Sequence, residues 1–199
     1  MRAIKYLFLV LLLVSFVQII SSEEEWSIWQ PEETSPHSDI IIKHLVNNEG
    51  LRRIWLVSQA NPSEQYLLFE HERDATVLFS PDQSFLAINN CWVSNEANVL
   101  LFKKVEGLQY REVKEANVSD KAWSLFCKVN KLKETGFDHL YVNAIAWSSD
   151  SKNLLLSLDG HSGKANYYAD SWFCVFNMES LKPSLEFKDM NRGAVHIEK

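Results

Sequence analysis

The chain is poor in the patterns that announce chemistry. Only three of its 199 residues are cysteine, and spacings of 36 and 47 positions fit neither a zinc-binding pair nor a CxxC redox motif. HExxH, GxSxG, a phosphate-cradling glycine loop and a calcium loop are all missing. Their absence removes the metalloproteases, serine hydrolases, nucleotide-binding folds and EF-hands that short motifs reveal. Six histidines occur (His37, His44, His71, His139, His161, His196), none at metal-ligand spacing from another, so the sequence points to no metal and no cofactor. Basic residues number 20 against 26 acidic ones and form no cluster, so nucleic acid is not an expected partner. Long apolar runs are also lacking, with one exception at the start.

That exception reads as an export signal. Arg2 and Lys5 precede an apolar stretch from Tyr6 to Ile20, then small Ser21 and Ser22, then acidic Glu23-Glu24-Glu25. At 15 residues the stretch is short of the roughly 20 that span a bilayer as a helix. An uncleaved anchor and a buried N-terminal helix are the alternatives. Residues 1–22 are expected to be removed by a cut after Ser22 or Ser21, leaving no membrane span and a secreted or periplasmic protein. Taking 22 residues from 199 leaves 177 with a net charge of −8, because the leader holds two basic residues and no acidic one. In an oxidising compartment Cys91, Cys127 and Cys174 could form one disulfide, with three choices of pair. Each also sits among apolar neighbours, as a small buried hydrophobe would.

Residues 23–38 are polar and acidic with two prolines and read as an extended or disordered lead-in, whose Trp26, Ile28 and Trp29 could dock on the body of the domain. A single β-rich domain is expected over 39–199. Short runs of β-branched and aromatic residues alternate there with turn clusters. The runs are 40–46, 51–58, 65–70, 75–79, 85–89, 98–104, 108–113, 140–147, 153–158, 172–177 and 184–187. They predict an all-β, mainly antiparallel fold. One helix is expected near 119–134, capped by Ser119-Asp120, with Trp123, Phe126, Cys127 and Asn130 at helical spacing and Gly136 as the stop.

Two segments echo each other: Val77-Leu78-Phe79-Ser80-Pro81-Asp82-Gln83-Ser84-Phe85-Leu86-Ala87-Ile88 and Ile145-Ala146-Trp147-Ser148-Ser149-Asp150-Ser151-Lys152-Asn153-Leu154-Leu155-Leu156. Each is a strand ending in an aromatic, a Ser-x-Asp turn that can bond its own backbone, and a second strand. The hairpins at 79–87 and 147–155 resemble those of β-propeller repeats of the WD40 and TolB-like kind, with Gln83 and Ser151 where that pattern has glycine. The resemblance implies blade-like sheets and no catalytic residue. A blade takes roughly 40–50 residues and closed propellers usually have four or more, so the expected form is a small or partial propeller.

The segment from Asp159 to Asp170 is the best candidate for a site. It holds His161 beside Ser162, the pair Tyr167-Tyr168, and two of the six glycines, and polar loops on rigid β scaffolds gather binding residues. Asp159, His161, Ser162, Tyr167, Tyr168 and Asp170 are therefore expected to bind a ligand or partner. His71, within Glu70-His71-Glu72-Arg73-Asp74, reads as part of a solvated charged turn. Trp55, Trp92, Trp123, Trp147 and Trp172 read as core, and Asn117-Val118-Ser119 is a glycosylation sequon. The chain thus reads as an exported, non-catalytic binding or interaction protein with a protein or small-molecule partner. A small hydrolase using His161 with Ser162 or Asp170, and a structural protein assembling through β edges, remain open.

Overall fold

The computed structural model describes residues 25–133, 137–162 and 167–197. The chain is all-β, mostly antiparallel, with one α-helix among the described residues. Three consecutive meanders make up the fold. The first comprises β3 (Ile40–Asn47), β4 (Arg52–Ser58) and β5 (Gln65–His71), with β1 (Trp26–Ile28) and β2 (Glu33–Thr34) paired to the free edge of β3. The segment expected as a lead-in therefore contributes strands. Arg53 and Arg52 lie 4.1 Å over the rings of Trp26 and Trp29, which fastens it to the body.

The second meander is β6 (Ala75–Phe79), β7 (Phe85–Val93), β8 (Glu96–Glu106) and β9 (Gln109–Glu112). A 3-10 turn at Lys114–Ala116 and helix α1 (Val118–Asn130) follow. The third is β10 (His139–Trp147), β11 (Asn153–Ser162), β12 (Tyr167–Asn177) and β13 (Lys182–Ser184), with β14 (Val195–Ile197) also on β12. A two-residue parallel contact, Leu140 and Tyr141 of β10 against Glu96 and Ala97 of β8, joins the second and third meanders into one nine-stranded sheet. β13 lies at 182–184, ahead of the expected 184–187, and β14 follows it where no strand was expected.

Period-two alternation explains how the meanders stack. On β7, Leu86 and Ile88 enter a core shared with Ile40, Ile42, Ile54 and Leu56 of the first meander. Ala87 between them enters a second core with Leu154, Leu156, Leu158, Trp172, Cys174 and Phe176 of the third. On β8, Phe102 faces the first core while Val99 and Leu101 face the second. Over Leu86–Ile88 and Val99–Phe102 the middle meander is thus covered on both faces, which is why these stretches read as continuous apolar runs.

Helix α1 is wedged against the second core. The edge-to-face contact of Phe126 with Trp172 of β12 (5.2 Å) fixes it there, and Trp123 packs edge-on against Phe126 within the helix (5.1 Å), each worth about 0.5–1.5 kcal/mol beyond burial. Its cap differs from expectation. Asn117, at φ 40°, precedes the helix with no side-chain cap, and the Ser119 hydroxyl accepts the Val99 N–H of β8 at 2.9 Å. The helix ends at Asn130, followed by Lys131 in the left-handed region. Gly136 lies outside the described residues.

Both echoed segments form the same turn, each as the first hairpin of its meander. Ser80 Oγ donates to Asp82 at 2.8 Å and accepts the Phe85 N–H, and Ser148 repeats this with Asp150 and Asn153. Gln83 and Ser151, at the resembled glycine position, have φ of 57° and 61°. Glycine would fit that conformation without strain. The substituents offset it by bonding across meanders: Gln83 donates to Asp39 at 2.7 Å, and Ser151 Oγ accepts the Asp82 N–H at 3.0 Å. One end of the stack is tied together by its turns.

Candidate functional site

The segment from 159 to 170 is largely strand. Residues up to Ser162 belong to β11, residues from Tyr167 to β12, and the tip at 163–166 lies outside the described residues. Asp-Gly-His-Ser has turn-like composition, yet β11 and β12 continue through it with a bulge at Leu158/Gly160.

Pairing decides which side chains meet. Successive strand residues point to opposite faces. His161 faces outward on the third meander, while neighbouring Ser162 is 0% exposed on the inner side. The expected His161–Ser162 set is therefore not assembled. Tyr167 is placed by its backbone opposite Ser162 and Ile197. Asp159 acts as a brace: its two oxygens accept the Ser171 N–H at 2.7 Å and the Ser157 hydroxyl at 3.3 Å. Asp170 is exposed, its oxygen accepting the Ser171 hydroxyl.

Four strands instead bring together a row of rings. His139 of β10 lies opposite His161, His161 opposite Tyr168, and Tyr168 opposite His196 of β14. The His139 and His161 rings stack at 4.2 Å and 20°, and those of His161 and Tyr168 at 5.7 Å and 24°. The stacking runs across the strands, with His139 and His161 half-buried and Tyr168 exposed. The Tyr141 hydroxyl donates to the Ser94 carbonyl at 2.9 Å, leaving its oxygen to accept from His139 Nδ1 at 3.0 Å. That arrangement puts the proton of a neutral His139 on Nδ1 and leaves Nε2 as an acceptor. Together Tyr141, Asp159, His161, Tyr168, Asp170 and His196 line an open groove of about 630 Å³.

Two features position the row. Gly160 is one: a Cβ there would lie 2.4 Å from the His139 carbonyl oxygen and 2.9 Å from Trp123 Cη2, so only glycine lets α1 approach β11. The other is Asn89 of β7, whose side chain accepts the Ala144 N–H at 2.7 Å and donates to the Ala144 carbonyl at 3.1 Å. It grips β10 at the bulge that passes over Ile145.

His139, His196 and Tyr141 were not among the expected site residues. Hairpin register counted back from the Ser148 turn would not have found them, because the bulge at Ile145 shifts the pairing by one. No disulfide joins the three cysteines: Cys127 and Cys174 are buried, Cys91 half-buried, and burial pushes the Cys174 thiol up to about 12. Trp92, read as core, is 50% exposed. Among the described residues no group of three or more His, Cys, Asp or Glu is arranged to hold a metal ion, and no helix is long and apolar enough to cross a membrane. Compared with models of known protein families and with curated proteins, the chain gives no match.

Proposed function

We propose that the protein is an exported, non-catalytic binding or interaction module built from propeller-like blades of the WD40 or TolB kind, and that its partner docks in the groove over the His139–His161–Tyr168 row. The observation that carries this reading is the row itself. Ordered rings from three strands stack in a row at the groove, and Tyr168 is 38% exposed. Tyrosine and histidine combine an apolar body with a polar tip, which suits recognition. Asp159 and Asp170 give the rim an acidic character that favours a ligand bearing donors or positive charge. Catalysis lacks comparable support, because Ser162 is turned to the far side of the sheet.

The test uses the chain lacking residues 1–22 as bait, alongside a His161→Ala/Tyr168→Ala variant whose fold is checked by circular dichroism. A protein or small molecule captured by the parent and released at least tenfold more readily by the variant supports the assignment. Equal capture by both proteins overturns it.

A further inference from the structure

A second cluster of unusual side chains lies at one end of the contact between the first and second meanders. His44 sits on the face of β3 that carries Ile40 and Ile42, and is 1% exposed. His71 closes β5 at 7% exposure, correcting the expectation of a solvated turn. The ring of His71 stacks on Phe69 at 5.7 Å, and Phe69 packs edge-on against Phe102 of the second meander. Both ring nitrogens of His44, Nε2 of His71 and Nε of Arg52, the register partner of His71, are buried without a hydrogen-bond partner. His71 Nδ1 meets the Arg73 carbonyl. Buried polar atoms normally find partners, so four unpartnered nitrogens in one corner are a concentrated cost.

We propose that His44 and His71 form an acid-operated latch: their protonation loosens the packing of β3–β5 on the second meander. The surroundings of the pair supply the reason. Arg52 acts electrostatically on His71, as does His44 itself, so charging either ring places it near positive charge. The nearby carboxylates are poorly set to compensate. Glu33 of β2 lies 3.8 Å from His44 Nε2 but is half-exposed, and exposed Asp74 is engaged by Arg52 at 3.0 Å. On the facing meander, Glu112 of β9 pairs with Phe102, the residue against which Phe69 packs.

Burial pushes both histidines below the usual 6.5, more than Glu33 and Asp74 counteract. Both rings are therefore neutral when the latch is closed at neutral pH. An opened state, with its histidines in water, binds protons more readily than the closed one, so acidification below about 6.5 favours opening. The opening equilibrium can rise at most tenfold per pH unit for each histidine, so about a hundredfold per unit for both.

Hydrogen exchange of the full chain between pH 7.5 and 5.0, corrected for intrinsic rates, reads this out by segment. The expected result is selective loss of protection in β3–β5 relative to β10–β12. His44→Gln and His71→Gln should each flatten that pH dependence. If neither variant folds, imidazole NMR titration of the parent replaces them: the two rings must take up protons over the pH range in which β3–β5 opens. Uniform protection across the range, or a β3–β5 response unchanged by the substitutions or out of step with the titration, overturns the latch.

Discussion

Replacing Gly160 by alanine tests the architecture where fold and site meet. The added methyl would stand 2.4 Å from the His139 carbonyl oxygen and 2.9 Å from Trp123 Cη2, against roughly 3.5–4.0 Å for favourable contact. The carbonyl belongs to the strand backbone and cannot rotate aside. Overpacking of this kind costs about 1–3 kcal/mol, and a broken β10–β11 hydrogen bond about 0.5–1.5 more. Gly160 is not in the left-handed region, so alanine also gains about 0.4–1 kcal/mol by restricting the unfolded chain. The net expectation is about 0.5–4 kcal/mol of destabilisation, or roughly 1–16 °C in Tm for a chain of this size. Urea unfolding followed by tryptophan fluorescence measures it. In a Trp123→Leu background one of the two clashes disappears, so the same glycine substitution should cost about 1 kcal/mol less. A Gly160→Ala protein as stable as the parent, or a cost independent of Trp123, would refute the packing argument.

Asn89→Ala should cost about 1–3 kcal/mol, because it leaves the Ala144 N–H and C=O without their partner, and ring signals of His139 and His161 should broaden by NMR. Asn191 donates to and accepts from Phe173 in the gap between β13 and β14, so Asn191→Ala should bare that stretch of the β12 edge and increase self-association by light scattering. Hydrogen bonds from Ser84, Ser80 and Ser151 outweigh burial and hold the Asp82 carboxyl at about 2. That pKa is depressed on folding, so its contribution is present above about 4 and lost as pH falls toward 2; stability against pH should be flatter there in Asp82→Asn. Thiol titration should find all three cysteines free on denaturation, with Cys91 the most accessible in the native protein.

Much of the architecture was legible because the chain states it locally. Alternation and turn residues marked the strands, and Ser80–Asp82 and Ser148–Asp150 marked equivalent hairpins. The ring row was not legible, for a reason one residue wide. Counting back from Trp147 opposite Leu154 without interruption sets His139 against Ser162. The bulge at Ile145 shifts the pairing by one and sets His139 against His161. Asn89, which grips that bulge, comes from a strand 55 residues away. His71 misled for a related reason: its charged neighbours describe an exposed turn, while strand parity turns its own ring inward. Ser119 looked like a helix cap but is claimed by the β8 backbone, a contact that exists only after packing.

The central claim is that the outward ring row is a recognition surface. A photo-crosslinking residue in place of Tyr168, compared with one in place of Val129, which is similarly exposed on α1, tests it most directly. The account predicts a discrete crosslinked partner at position 168 that is suppressed by His161→Ala and absent at position 129. Crosslinks of equal yield at both positions, or none at 168 in the presence of everything captured by the parent protein, would contradict it.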